Sequence, residues 1–202
     1  MIKFPAAPSA LPPNRLLARI RAGEIDRLYS LGNFATPRHV DYVCATGLFH
    51  SLWLDLEHFD IPTQDLAVLN LVARAHPVTT VARFKAADYQ SVMRVLETGV
   101  GGIMCAMVES AAEAQRIVSW AKFNNPAPGP GEVTDCVGGT PAGSTPATVR
   151  CRRHGKFWGT VSAGREHYRQ VRALGARLIG VGGDVRVMNY GIRELAKAFA
   201  DD

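Results

Sequence analysis

A chain of 202 residues is long enough to bury a core of its own, and 47% hydrophobic with 20% charged residues excludes a disordered tail. The net charge of +5 is spread over helix surfaces, in RLLARIRAGEIDR, REHYRQVRALGAR and IRELAK, which argues against a nucleic-acid partner. Cys44, Cys105, Cys136 and Cys151 show no CxxC or zinc spacing and read as reduced thiols; no apolar run approaches the roughly 18 residues of a membrane span, so a cytoplasmic protein with no membrane contact is expected.

Residues 1–13 form a Pro-rich tail without the apolar stretch of a secretory leader, and residues 14–202 are expected to make a single domain. Residues 14–27 carry helical spacing at Leu16, Leu17, Ile20 and Ile25. An alternation then begins. LYSLGNFA predicts a strand, and TPRHVDYVCATG a helix opened by Thr36 and Pro37 and closed by Gly47. HSLWLDLEH is the next strand, followed by the helix PTQDLAVLNLVARAH. The strand VTTVARF precedes the helix AADYQSVMRVLETG. VGGIMCAMV is a strand, and SAAEAQRIVSWAKF a helix capped by Ser110.

The alternation stops at residues 124–150, which are rich in Gly, Pro, Thr and Ala, lack periodicity and predict a disordered insert. It resumes with the strand KFWGTVS, the helix GREHYRQVRALG, the strand RLIGVGGD and the helix VMNYGIRELAKAFA. Strands and helices in strict succession imply βα units and a parallel sheet. Six units can be counted, four before the insert and two after it. That is fewer than the eight of a closed (β/α)₈ barrel. A six-stranded doubly wound sheet is the competing architecture, but no Gly-x-Gly-x-x-Gly turn follows the first strand.

Chemistry-bearing residues concentrate in SLWLDLEHFD. Strand alternation puts Leu52, Leu54 and Leu56 toward covering helices and Trp53, Asp55 and Glu57 on the opposite face, with His58 at the strand's C-terminal end. Active sites of α/β folds lie at that end. In TTVARF the same alternation places Arg83 beside them, either neutralising the carboxylates or holding an anionic substrate. Asp184 is a site residue or the N-cap of the last helix. Thr160 and Ser162 fall on the same rim, whereas His50, His154 and His167 have no partners in sequence and read as surface residues.

With WLDLEH, TVARF, VLETGVGGIM, MVESAAEAQ and LIGVGGDV in view, the chain resembles the HpcH/HpaI family of metal-dependent pyruvate aldolases, on both sides of the insert. The resemblance implies a TIM-type (β/α)₈ barrel and a carbon–carbon lyase acting with Mg²⁺ on a small-molecule 2-oxo acid. Within the family it points to the branch that decarboxylates oxaloacetate and adds the pyruvate enolate to an acceptor. It also implies a homo-hexamer whose last helix swaps onto a neighbour. By the same resemblance His58 is the catalytic base or proton shuttle and Asp55 its orienting partner. Glu57 acts on metal-bound water, and Arg83 stabilises the oxo group and developing enolate, with Trp53 and Asp184 on the site rim.

The chain departs from the family where the metal should be held. The two carboxylate metal ligands of the family come from a Gln-Ile-Glu motif on its fifth strand and a Gly-Pro-Ala-Asp motif on its sixth, and neither is present. No metal ligand of the family pattern is therefore retained. Loss of these staves predicts an incomplete barrel, unpaired edges on the flanking strands, weak metal binding and little activity. Permitted codons for residues 135–150, read two bases along, can spell LRGWNAGGIDARYGT. This matches the Gly-rich loop expected after the fourth helix and marks the insert as an out-of-frame remnant beside a skipped segment, which the coding DNA tests. An inactive remnant of the family, either failing to fold alone or pairing with intact homologues, is the alternative reading.

Overall fold

The computed structural model describes residues 14–122, 137–138, 151 and 153–200. The elements, in chain order, are α1 (Arg15–Arg21), β1 (Asp26–Leu31), α2 (Pro37–Ala45), β2 (Ser51–Asp55), α3 (Thr63–Ala75), β3 (Thr79–Phe84), α4 (Tyr89–Glu97) and β4 (Gly102–Cys105). After these come α5 (Ala111–Ala121), the two-residue β5 (Val137–Gly138), β6 (Trp158–Val161), α6 (Arg165–Ala173), β7 (Leu178–Gly183) and α7 (Asp184–Ala198). The tail at 1–13 and the insert at 124–150 lie outside the described residues, apart from Val137–Gly138.

Local chemistry sets the helix ends as the sequence predicts. The Thr36 side chain accepts from the His39 N–H at the start of α2, and Ser110 accepts from Glu113 N–H at the start of α5. Asp88 and Ser91 form a reciprocal capping box on α4, so this helix opens three residues later than AADYQ suggests. α1 is shorter than its periodicity implied. It closes at Ala22, Gly23 turns the chain with φ +73°, and Asp26 and Arg27 already belong to β1.

All strand pairs are parallel, in the order β4-β3-β2-β1-β7-β6-β5. This succession walks one way around and brings the last long strand beside the first, as in a barrel. A doubly wound sheet would reverse direction partway. The opening falls between β4 and β5, so this is a curled, incomplete TIM-type barrel. One expectation needs correcting. The far side of β6 is not bare, because Val137 pairs with Trp158 and Gly138 with Gly159. The free edge among the described residues on the other side is that of β4.

The sheet has two differently filled faces. Leu31, Leu52, Leu54, Ala82 and Phe84 pack outward against Val40 and Val43 of α2, Leu66 and Leu69 of α3 and Val92 of α4. Each buried Leu contributes about 1.5–3 kcal/mol. On the concave face Leu28, Val81 and Leu178 meet Leu16 and Ile20 of α1, with Trp53, Met104 and Phe157 packed around them. α1 thus plugs the end of the curl where the strands begin and leaves the other end to the charged residues.

Candidate active site

β2 and β3 run in register, with Trp53 opposite Val81 and Asp55 opposite Arg83. Parallel partners share a face, so Trp53, Asp55 and Arg83 all project to the concave side at the C-terminal end. β2 stops at Asp55, earlier than expected. The Leu56 N–H donates to the Arg83 carbonyl at 2.8 Å, and the Glu57 N–H turns back onto Asp55 Oδ1 at 3.2 Å. Glu57 and His58 therefore sit in a turn beyond the strand, on a segment that doubles as a cap for Asp55.

The Arg83 guanidinium binds Asp55 with both arms, Nε to Oδ1 at 2.9 Å and Nη2 to Oδ2 at 2.5 Å. Its Nε also lies 3.1 Å from Glu57 Oε2. The guanidinium carbon stands 4.6 Å from the centre of the Trp53 ring. Asp55 is buried, and Arg83 retains 20% side-chain exposure. A fork-to-fork pair in such a setting stabilises when complete and costs several kcal/mol when broken. One cation is thus shared between two carboxylates, and the cluster carries a formal charge of −1.

His58 is 61% exposed, with Nε2 3.9 Å from Glu57 Oε2. The structure brings Glu57 rather than Asp55 toward the imidazole, because both Asp55 oxygens are held by Arg83. Asp184 is not the N-cap of α7. Gly183 holds that position, and Asp184 is the first helical residue. Its carboxylate reaches across the β7–β1 seam and accepts from Gly32 N–H at 2.9 Å and Phe34 N–H at 2.8 Å through Oδ2. Its Oδ1 accepts from the Val185 N–H at 2.7 Å. Asp184 therefore fixes the loop after β1. Burial and then the Asp184 charge push the nearby Tyr29 phenol up to about 12.

The remaining polar candidates are engaged elsewhere in the fold. Thr160 pairs with Ile179, which belongs to the helix-covered side, so it does not line the mouth. The Ser162 hydroxyl is turned onto Gly164 O at 2.7 Å. His50 and His167 have partners: His50 Nδ1 accepts from the Arg27 N–H, and His167 Nδ1 from the Ala163 N–H. Cys44 and Cys105 are free thiols, and burial pushes both up to about 11.

The donor set does not suit a divalent metal. Asp55 and Glu57 both face a guanidinium, and among the described residues no three His, Cys, Asp or Glu side chains gather to hold one. The sequence reading missed a group at the opposite end of the sheet, where Arg19, Arg27, Arg172 and Arg177 line one cleft. They lie in separate segments, so no local pattern announces them. No helix among the described residues is long and apolar enough to cross a membrane.

No family model and no curated protein sequence matches the chain. Solved structures do match its fold. An HpcH/HpaI aldolase from Desulfitobacterium hafniense DCB-2 superposes with a TM-score of 0.79 at 18% identity, over 91% of this chain and 95% of that one. An HpcH/HpaI aldolase/citrate lyase family protein from Burkholderia cenocepacia J2315 gives 0.78 at 18%, over 92% and 99%. Macrophomate synthase gives 0.69 at 15%, over 92% and 87%. The likeness is one of fold, shared across these proteins, and it does not single out one of them.

Proposed function

We propose that the chain belongs to the HpcH/HpaI aldolase family and descends from a Mg²⁺-dependent carbon–carbon lyase acting on oxaloacetate or pyruvate, with its activity impaired. The observation that carries this reading is the Asp55–Arg83–Glu57 cluster at the C-terminal end of β2 and β3, on the fold those aldolases share. What remains of the site is a cation, Arg83, beside an exposed imidazole, His58. Arg83 would hold the oxo group of a 2-oxo acid, and His58 would move the proton.

In this chain both carboxylates compensate Arg83, and the cluster's net charge of −1 repels a 2-oxo acid anion. Without a cation to offset that charge, substrate affinity is low. Titration with Mn²⁺, followed by electron paramagnetic resonance in the presence of pyruvate, tests this. Only weak, non-stoichiometric binding is expected, and tight one-to-one binding would overturn the impaired-site reading. The lineage is tested by replacing residues 123–151 with the corresponding two βα units of the D. hafniense aldolase. The graft should gain chelator-sensitive oxaloacetate decarboxylation, and a folded graft without it contradicts the assignment.

A second reading is favoured by α7. Met188, Ile192, Leu195 and Phe199 recur at helical spacing and are 46%, 56%, 62% and 68% exposed. Such an apolar stripe on a surface helix fits an interface between subunits. The chain would then act as an assembly partner, of its own copies or of intact homologues. Size-exclusion chromatography of wild type and Ile192→Lys/Leu195→Lys should show an oligomer that the variant dissociates; a wild-type monomer rules this reading out.

A further inference from the structure

The end of the sheet where strands begin carries a feature that the lyase reading does not use. The α1–β1 turn, the start of β1, the end of α6 and the α6–β7 turn converge there, joined by the Asp26 N–H donating to Arg177 O at 2.7 Å. Together they enclose an open cleft of about 420 Å³. This is within the size range of small-molecule sites. Arg19, Arg27, Arg172, Arg177, Tyr168 and Glu24 line it. Four arginines against one glutamate leave a formal excess of three positive charges.

That excess is not consumed by the fold. Arg19 Nη2 binds Glu24 Oε2 at 2.8 Å and Ile25 O at 3.3 Å, and Arg27 Nε binds Leu48 O at 2.8 Å. Both keep further N–H donors, since a guanidinium has five. The guanidinium groups of Arg172 and Arg177 have no hydrogen-bond or ion-pair partner among the described residues. The field reaches the neighbouring His50, whose pKa burial lowers first and the charges of Arg19 and Arg27 lower further. Like charges gathered in one concavity repel one another, and a multivalent anion relieves that repulsion.

We propose that this cleft binds a small polyanion of the phosphate class, on the opposite end of the barrel from the aldolase-type cluster. Guanidinium forks match phosphate oxygens in pairs, and the Tyr168 hydroxyl adds a neutral donor. The site is independent of lyase activity.

Calorimetric titration of the full chain with pyrophosphate tests it, with citrate as a polycarboxylate of similar charge. Saturable one-to-one binding of pyrophosphate is expected, weakening as NaCl is raised. The double variant Arg172→Gln/Arg177→Gln should lose about ten- to hundredfold in affinity, as for charged hydrogen bonds removed. The charge-matched control Arg38→Gln/Arg193→Gln should bind as wild type. A second readout is the melting temperature, which pyrophosphate should raise in wild type and control but not in the cleft variant. Absence of saturable binding, or equal affinity in the two double variants, overturns the proposal. Citrate binding as tightly as pyrophosphate overturns the phosphate assignment.

Discussion

The two ends of the curled sheet handle charge in opposite ways. At the C-terminal end Asp55 and Glu57 face a single guanidinium, and every formal charge has a neighbour of opposite sign. At the other end four arginines share a cleft with one glutamate, and behind them Asp26 is fully buried with neither carboxylate oxygen hydrogen-bonded. Its nearest cation is Arg19 Nε at 3.9 Å. The difference shows that the mouth holds its charges in mutual contact with only −1 left over, whereas the larger uncompensated charge, which is what recruits ligands, lies at the far end.

The sharpest way to break the comparison is Arg83→Met. It strands a buried Asp55 and should destabilise the fold by about 3–5 kcal/mol in urea unfolding. Adding Asp55→Asn in the same chain should recover much of that loss, since the charge left behind is then removed. If Arg83→Met alone unfolds like wild type, the mouth is not held together by the pair.

Asp26→Asn should act in the opposite sense. Burial pushes the Asp26 pKa up from 3.8 to about 7, with Ser51, Arg19 and Arg27 offsetting part of the shift. The folded state therefore binds the proton more tightly than the unfolded chain. Its stability should fall as pH rises from about 4 to about 7 and stay low above that. The penalty at pH 8 is on the order of 4 kcal/mol. Asp26→Asn should melt higher than wild type at pH 8 and little differently at pH 4, by thermal denaturation at both values. A variant less stable at pH 8 would show that Asp26 is compensated after all.

Smaller effects come from the rim and from outside both ends. Asp184→Ala frees the Gly32 and Phe34 N–H groups and should cost about 2 kcal/mol, together with faster hydrogen exchange at those amides. Ser110→Ala removes one cap from α5 and should cost about 1 kcal/mol, setting the scale of a purely local change.

Much of the fold was legible in the sequence because its signals are local. Helix caps at Thr36 and Ser110 and the switch between strand and helix periods lie within a few residues of what they determine. The shared face of Trp53, Asp55 and Arg83 was legible for the same reason, as two strands with period two. What was not legible depends on distant partners. Asp184 read equally as a site residue or as a cap for its own helix, because nothing nearby reveals that its carboxylate bonds amides 150 and 152 residues away. Asp55 was expected to orient His58, and nothing nearby reveals that both its oxygens are taken by Arg83 on another strand. The arginine cleft was read as charge spread over helices, since Arg19, Arg27, Arg172 and Arg177 meet only once β1 and β7 have paired.

The central claim is that this chain keeps the aldolase fold while its catalytic end has lost the means to work. It is tested most directly by oxaloacetate decarboxylation at saturating Mg²⁺, with and without chelator. The account predicts a rate no greater than that of Mg²⁺ alone, unchanged by Arg83→Met. Turnover above that blank, abolished by chelator and by His58→Ala, would contradict it.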